Sequence, residues 1–596
     1  MRAPRMNRDS PFRRPRCFSE RDDASFSGPP VCAAHAARMM ESRPNVVIGA
    51  AALLFGALVF ALLPADVVPV GPDEFGYLKS AVETIQRGRP WTDDFLEPWA
   101  AAMTSFSALI YHATSSMRAA IHGQIAVLAV ATFAGLCALL RARTGSAARA
   151  IAISAAVLLC PVVLRRLSEY IDLIVFLPAL FWCVWAVERR RWGLFFVLWC
   201  IAVANRQSAI VWLLLPAAAW LRARIRENPR DRATTIWAAS VVVLGVLWFL
   251  AVMAGMNTTD IQFDRTLRPF ADLRLSLVAQ ALLAGLGVFL LAVGFGAFVL
   301  GWRGAAPLRP WRGAARWTTL AALGLTLFFD ARQLVRTDVA YDFFYGPLGA
   351  IYAKLFVLAA AWGWLRVRFH LRLELLACAL ATLGLVGLRQ MVFDRYAIEI
   401  GCLALFAVSV PPTAETSADA APRLLQWLPA GLVAALLVLA IPFTLLTKLA
   451  IDESRALSRL HETALREKQI RPSEIGQAPF PFRGWYLHAY SIAHPMASGR
   501  KLGAYMRLTE PTVQVWSEPP HAFARLRGTP EPRPRGASAN LGEGSFRVGW
   551  FWQARYGLVR LAAPREPGPL VRDFRAVSLP LDEAEWRALI RGPFLR

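Results

Sequence analysis

Apolar runs of membrane-spanning length recur along this chain, and they leave little room for any architecture but a helical bundle in lipid. A helix needs about 20 residues to cross a bilayer, because only intrasegment hydrogen bonds satisfy its backbone there. Apolar runs lie near 46–68, 119–140, 147–164, 170–187, 192–204, 208–221, 235–255, 276–301, 317–329, 347–365, 373–388, 396–411 and 428–447. They predict about thirteen transmembrane helices. The 192–221 region reads either as one long helix or as two short spans broken at Asn205-Arg206-Gln207. A hydrophobic content of 56% over 596 residues excludes a string of soluble domains.

Charge distribution sets the expected sidedness. The formal charge of +24 comes mainly from arginines in short loops, so topology accounts for it and nucleic acid is not an expected partner. With a cytoplasmic N-terminus, the inside loops are 141–149, 188–191, 222–232, 302–316, 366–372 and 412–424. They hold 19 Lys and Arg against 5 Asp and Glu in 59 residues. The outside loops, 69–118, 165–169, 205–207, 256–274, 330–346 and 389–395, hold 14 basic and 14 acidic in 101 residues. Merging the fifth and sixth runs would move Arg222, Arg224, Arg226, Arg230 and Arg232 outside, so the bias favours the break at 205–207.

Three regions follow from this reading. Residues 1–45 are rich in Arg, Ser and Pro and lack a signal peptide's apolar core, which predicts a disordered basic extension. Translation starting at Met39 or Met40 is the accompanying expectation. Residues 46–448 form the transmembrane domain, with its long first outside loop at 69–118. Residues 449–596 are expected outside the membrane as a small α+β or β-rich domain. They begin with a charged helical stretch, Ile451 to Lys468, and continue through alternating segments at Thr512–Trp516 and Phe546–Phe551. The eight Cys (17, 32, 137, 160, 183, 200, 378 and 402) show no metal-ligand spacing, so neither a zinc site nor structural disulfides are expected.

Polar residues collect on one face of this topology. Asp73-Glu74, in a run from Val70 to Tyr77, follow the first span. Their simplest role is to favour a helix dipole behind Pro72, and they are also candidate catalytic acids at the bilayer surface. Trp91 to Trp99 mixes aromatics with acids and reads as a surface anchor. Glu169 and Asp172 open the fourth span on one helical face, where Arg165 and Arg166 are available as ion-pair partners or as anion ligands. Asn205, Arg206 and Gln207 tip the short hairpin. Arg389, Asp394, Arg395 and Tyr396 mark the boundary between the eleventh and twelfth spans. Asp330 and Arg332 belong to a loop placed to cap the site. Guanidinium groups at Arg206, Arg389 and Arg395 suit a lipid phosphate; interfacial snorkelling is the simpler alternative.

These features together resemble the GT-C superfamily of membrane glycosyltransferases, and specifically its bacterial family-39-like members, which use polyprenyl-phosphate sugars. The resemblance rests on the acidic pair in the first outside loop, the amphipathic segment after it, short fourth-to-sixth spans with a polar hairpin tip, and the Arg395-Tyr396 boundary. Asn205-Arg206-Gln207 followed by Ile210-Val211-Trp212 is similar to enzymes using dolichyl-phosphate-glucose. Phe480 to Tyr486 looks like a segment found after the last span of bacterial members. The likeness spans roughly residues 46–490.

The resemblance implies a GT-C-like fold in the bacterial inner membrane, with Asp73 as general base and Glu74 as its neighbour or substitute. It also implies Arg206, Arg389 and Arg395 on the donor phosphate, and Glu169, Asp172, Asn205, Gln207, Asp330, Arg332 and Tyr396 around the substrates. The implied partners are a polyprenyl-phosphate-linked sugar, a glycan, lipid or protein acceptor, and membrane lipids. No cofactor is certain, and a divalent cation is compatible with the acids. The alternatives are a transporter or flippase for an anionic lipid-linked substrate, and an O-antigen ligase or polymerase.

Overall fold

The structure, a computed structural model, describes residues 43–63, 100–225, 232–255, 273–301, 347–367, 369–388, 394–410, 430–445, 513–518, 537–548 and 552–561, with single positions between 67 and 88 and at 448 and 452. Helices dominate. They are α1 (Pro44–Leu62), α2 (Ala101–Thr114), α3 (Gln124–Thr144, entered through a π-helical turn at Ala119–Gly123), α4 (Ala147–Leu158), α5 (Pro161–Leu167), α6 (Leu173–Glu188) and α7 (Trp192–Asn205). A 3₁₀ turn, Gln207–Leu213, leads into α8 (Leu214–Ile225), followed by α9 (Arg232–Gly255), α10 (Leu275–Leu300), α11 (Pro347–Arg366), α12 (Leu373–Leu388), α13 (Asp394–Ala407) and α14 (Ala430–Leu445).

Among the described residues, three helices are long and apolar enough to cross a membrane: Pro44–Leu62, Ala119–Thr144 and Leu275–Leu300. The others are shorter apolar helices, so the structure bears out a mostly helical, membrane-compatible chain and not a count of thirteen. The 147–164 run is not one helix. Pro161 lacks an amide proton and opens a new helix at its first position, so the segment divides into α4 and α5. The 317–329 run and the acidic loop at 91–99 lie outside the described residues, as does Phe480 to Tyr486. Leu53, Leu54, Val127, Val197, Trp237, Leu250 and Leu283 point outward from their helices, a surface compatible with lipid.

Local chemistry explains the helix ends. Gly145 takes the left-handed conformation (φ +68°) that closes α3, and the Ser146 hydroxyl accepts the Arg149 N–H to open α4. Packing between α10 and α11 depends on glycine: a Cβ on Gly363 would collide with the Gly294 carbonyl, so these backbones touch directly. Near Gly363, the Trp364 indole donates to the Leu290 carbonyl at 2.9 Å.

Charges hold the bundle at one end. Glu188, the last residue of α6, accepts from Arg143 and from Arg372, each at 2.6 Å. Arg143 also donates to the carbonyls of Phe406 (2.8 Å) and Val408 (3.2 Å), where α13 runs into strand β2 (Val408–Ser409). That strand pairs antiparallel with β1 (His370–Leu371), and the Arg372 N–H donates to the Ala407 carbonyl at 2.7 Å. Four helices are thereby tied at the end where the positive-inside pattern expects cytoplasm.

Beyond the helices, β3 (Val513–Glu518), β4 (Ala537–Val548) and β5 (Trp552–Leu561) form an antiparallel sheet in the order β3-β5-β4. The alternating segments at 512–516 and 546–551 contribute to it. The 451–468 stretch lies almost wholly outside the described residues.

Gly363→Leu is expected to push α10 from α11 and cost about 1–3 kcal/mol, seen as a lower melting temperature in detergent. Gly49→Ala, on an open face with nothing within 4 Å, is expected to leave it unchanged. A wild-type melting temperature in Gly363→Leu contradicts the glycine contact.

Candidate functional site

A second set of buried charges gathers at the opposite ends of α6 and α13, where the positive-inside pattern predicts the outer face. It begins in the turn between α5 and α6. The Ser168 hydroxyl donates to the Leu164 carbonyl at 2.8 Å and ends α5. Glu169 is then gripped by two guanidinium groups, Arg165 Nε at 2.9 Å and Arg166 Nη1 at 2.8 Å, all three side chains being almost fully buried. Pairing with Arg165 and Arg166 is thus the arrangement Glu169 adopts. Removing these charges from water is costly, and a carboxylate with two short charge-assisted bonds offsets much of that cost.

The next residue connects this turn to the first loop. The Tyr170 N–H donates to Glu74 Oε1 at 2.8 Å, and Glu74 is buried. The Tyr170 hydroxyl lies 2.5 Å from Ser107 on α2, and Ser107 donates to Gln124 Oε1 at 2.5 Å. Gln124 in turn donates to the Met103 carbonyl at 3.2 Å. Glu74, the α5–α6 turn, α2 and the start of α3 therefore share one hydrogen-bonded chain, and it passes beside the π-helical turn that carries buried His122.

Asp172 precedes α6 and meets the break after α7. Arg206 is extended (φ −157°, ψ 116°), so the helix ends there, and the Trp199 indole secures the following turn by donating to the Ala209 carbonyl at 2.8 Å. The Asn205 amide donates to the Asp172 carbonyl at 2.6 Å. Arg206 lies between two carboxylates, with Nε 3.8 Å from Asp172 Oδ2 and Nη2 3.5 Å from Glu399 Oε2. Its Cζ stands 4.8 Å from the Phe176 ring centroid and 4.4 Å from that of Tyr396. Cation–π attraction adds to the ion pairs and fixes the plane of the guanidinium. Arg395 sits against Tyr396 too, at 5.6 Å, and Ser208 donates to Glu399 Oε2 at 3.4 Å.

Of the residues singled out from sequence, Asp172, Asn205, Arg206, Arg395 and Tyr396 come together here. Glu74 and Glu169 join through the turn at 169–172. Gln207, half-buried, opens the 3₁₀ turn. Asp73, Asp330, Arg332 and Arg389 lie outside the described residues. Glu399, Tyr170, Ser107 and Gln124 were not among the sequence candidates. The signal for Glu399 was legible: it is a lone acid inside an apolar run, one helical turn after Arg395, and an ionisable residue at such depth marks a site by default. Tyr170, Ser107 and Gln124 carry no such mark.

Taken together, Arg165, Arg166, Arg206 and Arg395 balance Glu74, Glu169, Asp172 and Glu399, four positive against four negative charges. The cluster can fix polar substrate groups in a low-dielectric environment where such interactions are strong. Among the described residues no group of three or more His, Cys, Asp or Glu is placed to hold a metal ion. No family model, curated protein or solved structure matches this chain.

Truncating Arg206 to Met would leave Asp172 and Glu399 buried without their shared cation, and is expected to cost about 3–5 kcal/mol of stability. Adding Glu399→Gln is expected to restore part of it. Thermal unfolding in nanodiscs measures both. Equal melting temperatures for wild type and Arg206→Met contradict the pairing.

Proposed function

We propose that the chain is an integral-membrane glycosyltransferase. It moves a sugar from a polyprenyl-phosphate donor to a cell-envelope acceptor at the extracytoplasmic face of a bacterial inner membrane. The observation that carries this reading is the hydrogen bond from Tyr170 to Glu74, which joins the acidic pair of the first loop to the buried charges around Glu169, Asp172 and Arg206. This bond supports reading the acidic motif just past a span and the buried arginines as parts of one site.

The two acids of the pair take different tasks. Glu74 is buried and committed to a backbone amide, so it anchors the loop. Asp73 is the general base: it takes the proton from an acceptor hydroxyl as that oxygen attacks the anomeric carbon. The bond from that carbon to the phosphate oxygen breaks, and the electron pair leaves with the polyprenyl phosphate. Arg395 and Arg389 stabilise the departing charge by fixed, permanently charged donors. A single displacement inverts the anomeric configuration. The N-terminus is cytoplasmic in this reading, and the segment after α14, including the β3-β5-β4 sheet, lies outside.

Transfer of radiolabelled sugar from a panel of polyprenyl-phosphate sugars to membrane acceptors tests the reading. General-base removal costs about 10²–10⁴-fold, so Asp73→Asn is expected to lose at least a hundredfold at equal expression. Glu74→Gln is expected to lose folded protein more than turnover. Full activity in Asp73→Asn contradicts the base assignment. Absence of transfer by wild type from every donor contradicts the function and favours a transporter.

A further inference from the structure

Arg206 is the arginine that a sequence reading most readily gives to the donor phosphate, yet its surroundings are those of a different ligand. Two carboxylates already flank it, so Arg206, Asp172 and Glu399 together carry a net negative charge when all are ionised. A phosphate approaching the guanidinium would meet both acids within 4 Å of it, and like charges at that range in a low dielectric repel strongly.

The pairing is also loose. Separations of 3.8 and 3.5 Å exceed those of the tight pairs elsewhere in the chain, 2.8 Å for Arg166–Glu169 and 2.6 Å for Arg143–Glu188. Charge-assisted bonds normally close to about 2.7–2.9 Å. Arg206 is nevertheless held in place between the Phe176 and Tyr396 rings, so its donors have fixed directions.

Hydrogen-bonding capacity is left over at this spot. Arg206 Nη1 and Nη2, Asp172 Oδ1, Asn205 Oδ1 and Glu399 Oε1 are buried and make no hydrogen bond among the described residues. Buried polar atoms in native proteins are almost always satisfied, and a cluster of exceptions implies groups supplied from outside. Here two are donors and three are acceptors. A ligand that satisfies them must both give and take hydrogen bonds while carrying no negative charge, which describes the hydroxyls of a sugar. The side chains of Arg206 and Asp172 keep only 6% and 8% of their surface exposed, so hydrogen bonds made to them are shielded from bulk water.

We propose that Asp172, Asn205 and Arg206, backed by Glu399, form the subsite for the hydroxyls of the transferred sugar, and that the phosphate belongs to Arg395, which also contacts the Tyr396 ring. The assignment rests on the transferase reading above and names which part of the donor this group holds. It gives Arg206 a specificity role: sugars whose hydroxyls match the fixed donors and acceptors bind, and those that leave them unpaired do not.

Binding of two lipids to the full chain in nanodiscs separates the possibilities: undecaprenyl phosphate alone, and undecaprenyl phosphate carrying glucose, mannose, galactose or arabinose. Arg206→Lys and Asp172→Asn are expected to weaken the best sugar-bearing lipid tenfold or more and to leave the sugar-free lipid within twofold. Equal losses for both lipids overturn the subsite, make Arg206 a phosphate ligand and leave the transferase reading intact. Wild type binding neither lipid defeats that reading and the subsite with it. Should the variants not fold, single-deoxy sugars on the same lipid test wild type directly. At least one is expected to bind tenfold more weakly, and deoxy donors that all bind as tightly as the parent overturn the proposal.

Discussion

A permanent positive charge inside an apolar bundle is the constraint around which the structure is arranged. A guanidinium cannot shed its proton to escape the cost of burial, so it must be met by carboxylates, carbonyls or aromatic faces. Among the described residues this problem is met at both ends of α6 and α13. Arg143 is engaged at one end through both terminal nitrogens by Glu188 and two backbone carbonyls, with only its Nε left over. Arg206 at the other end is held by rings and two more distant acids, with donors left over. The first arrangement uses both terminal guanidinium nitrogens, as suits a structural clamp. The second leaves both over, and is the end proposed above to take a ligand.

The contrast gives the molecule its polarity. The α6 helix has 16 residues and spans about 24 Å at 1.5 Å per residue, so the Asp172 and Glu188 clusters sit nearly a hydrocarbon thickness apart. Between them the helix is buried and apolar. Elsewhere α10 and α11 pack through small residues, with Gly294 and Gly363 in direct backbone contact. A rigid frame of this kind can hold several charged side chains in register, because the cost of moving any one is shared by the close packing around it.

Much of this was legible in the residues, and the parts that were not have physical reasons. Apolar run length found most of the helices. It failed at 147–164, because a hydropathy reading does not register that Pro161 ends one backbone ladder and begins another. The break at Arg206 was legible from charge bias, since joining α7 and α8 would have carried five arginines to the wrong side. The polar residues of that break and of Asp172 and Tyr396 stood out against apolar surroundings, and they do converge. Glu399 stood out equally and was passed over because its run looked like a span. The Tyr170–Ser107–Gln124 chain was not legible at all: hydroxyl and amide groups are common in such helices, and only the packing of α2 against α3 and the α5–α6 turn brings them within bonding distance.

The Arg206 end of the bundle is proposed as the donor-binding site, with sugar at Arg206 and phosphate at Arg395. A cryo-electron microscopy structure of the chain in nanodiscs with a bound polyprenyl-phosphate sugar tests it most directly. Sugar density is expected against Asp172, Asn205 and Arg206, and phosphate density beside Arg395. Phosphate seated on Arg206, or a lipid bound at the Arg143–Glu188 end, would contradict it.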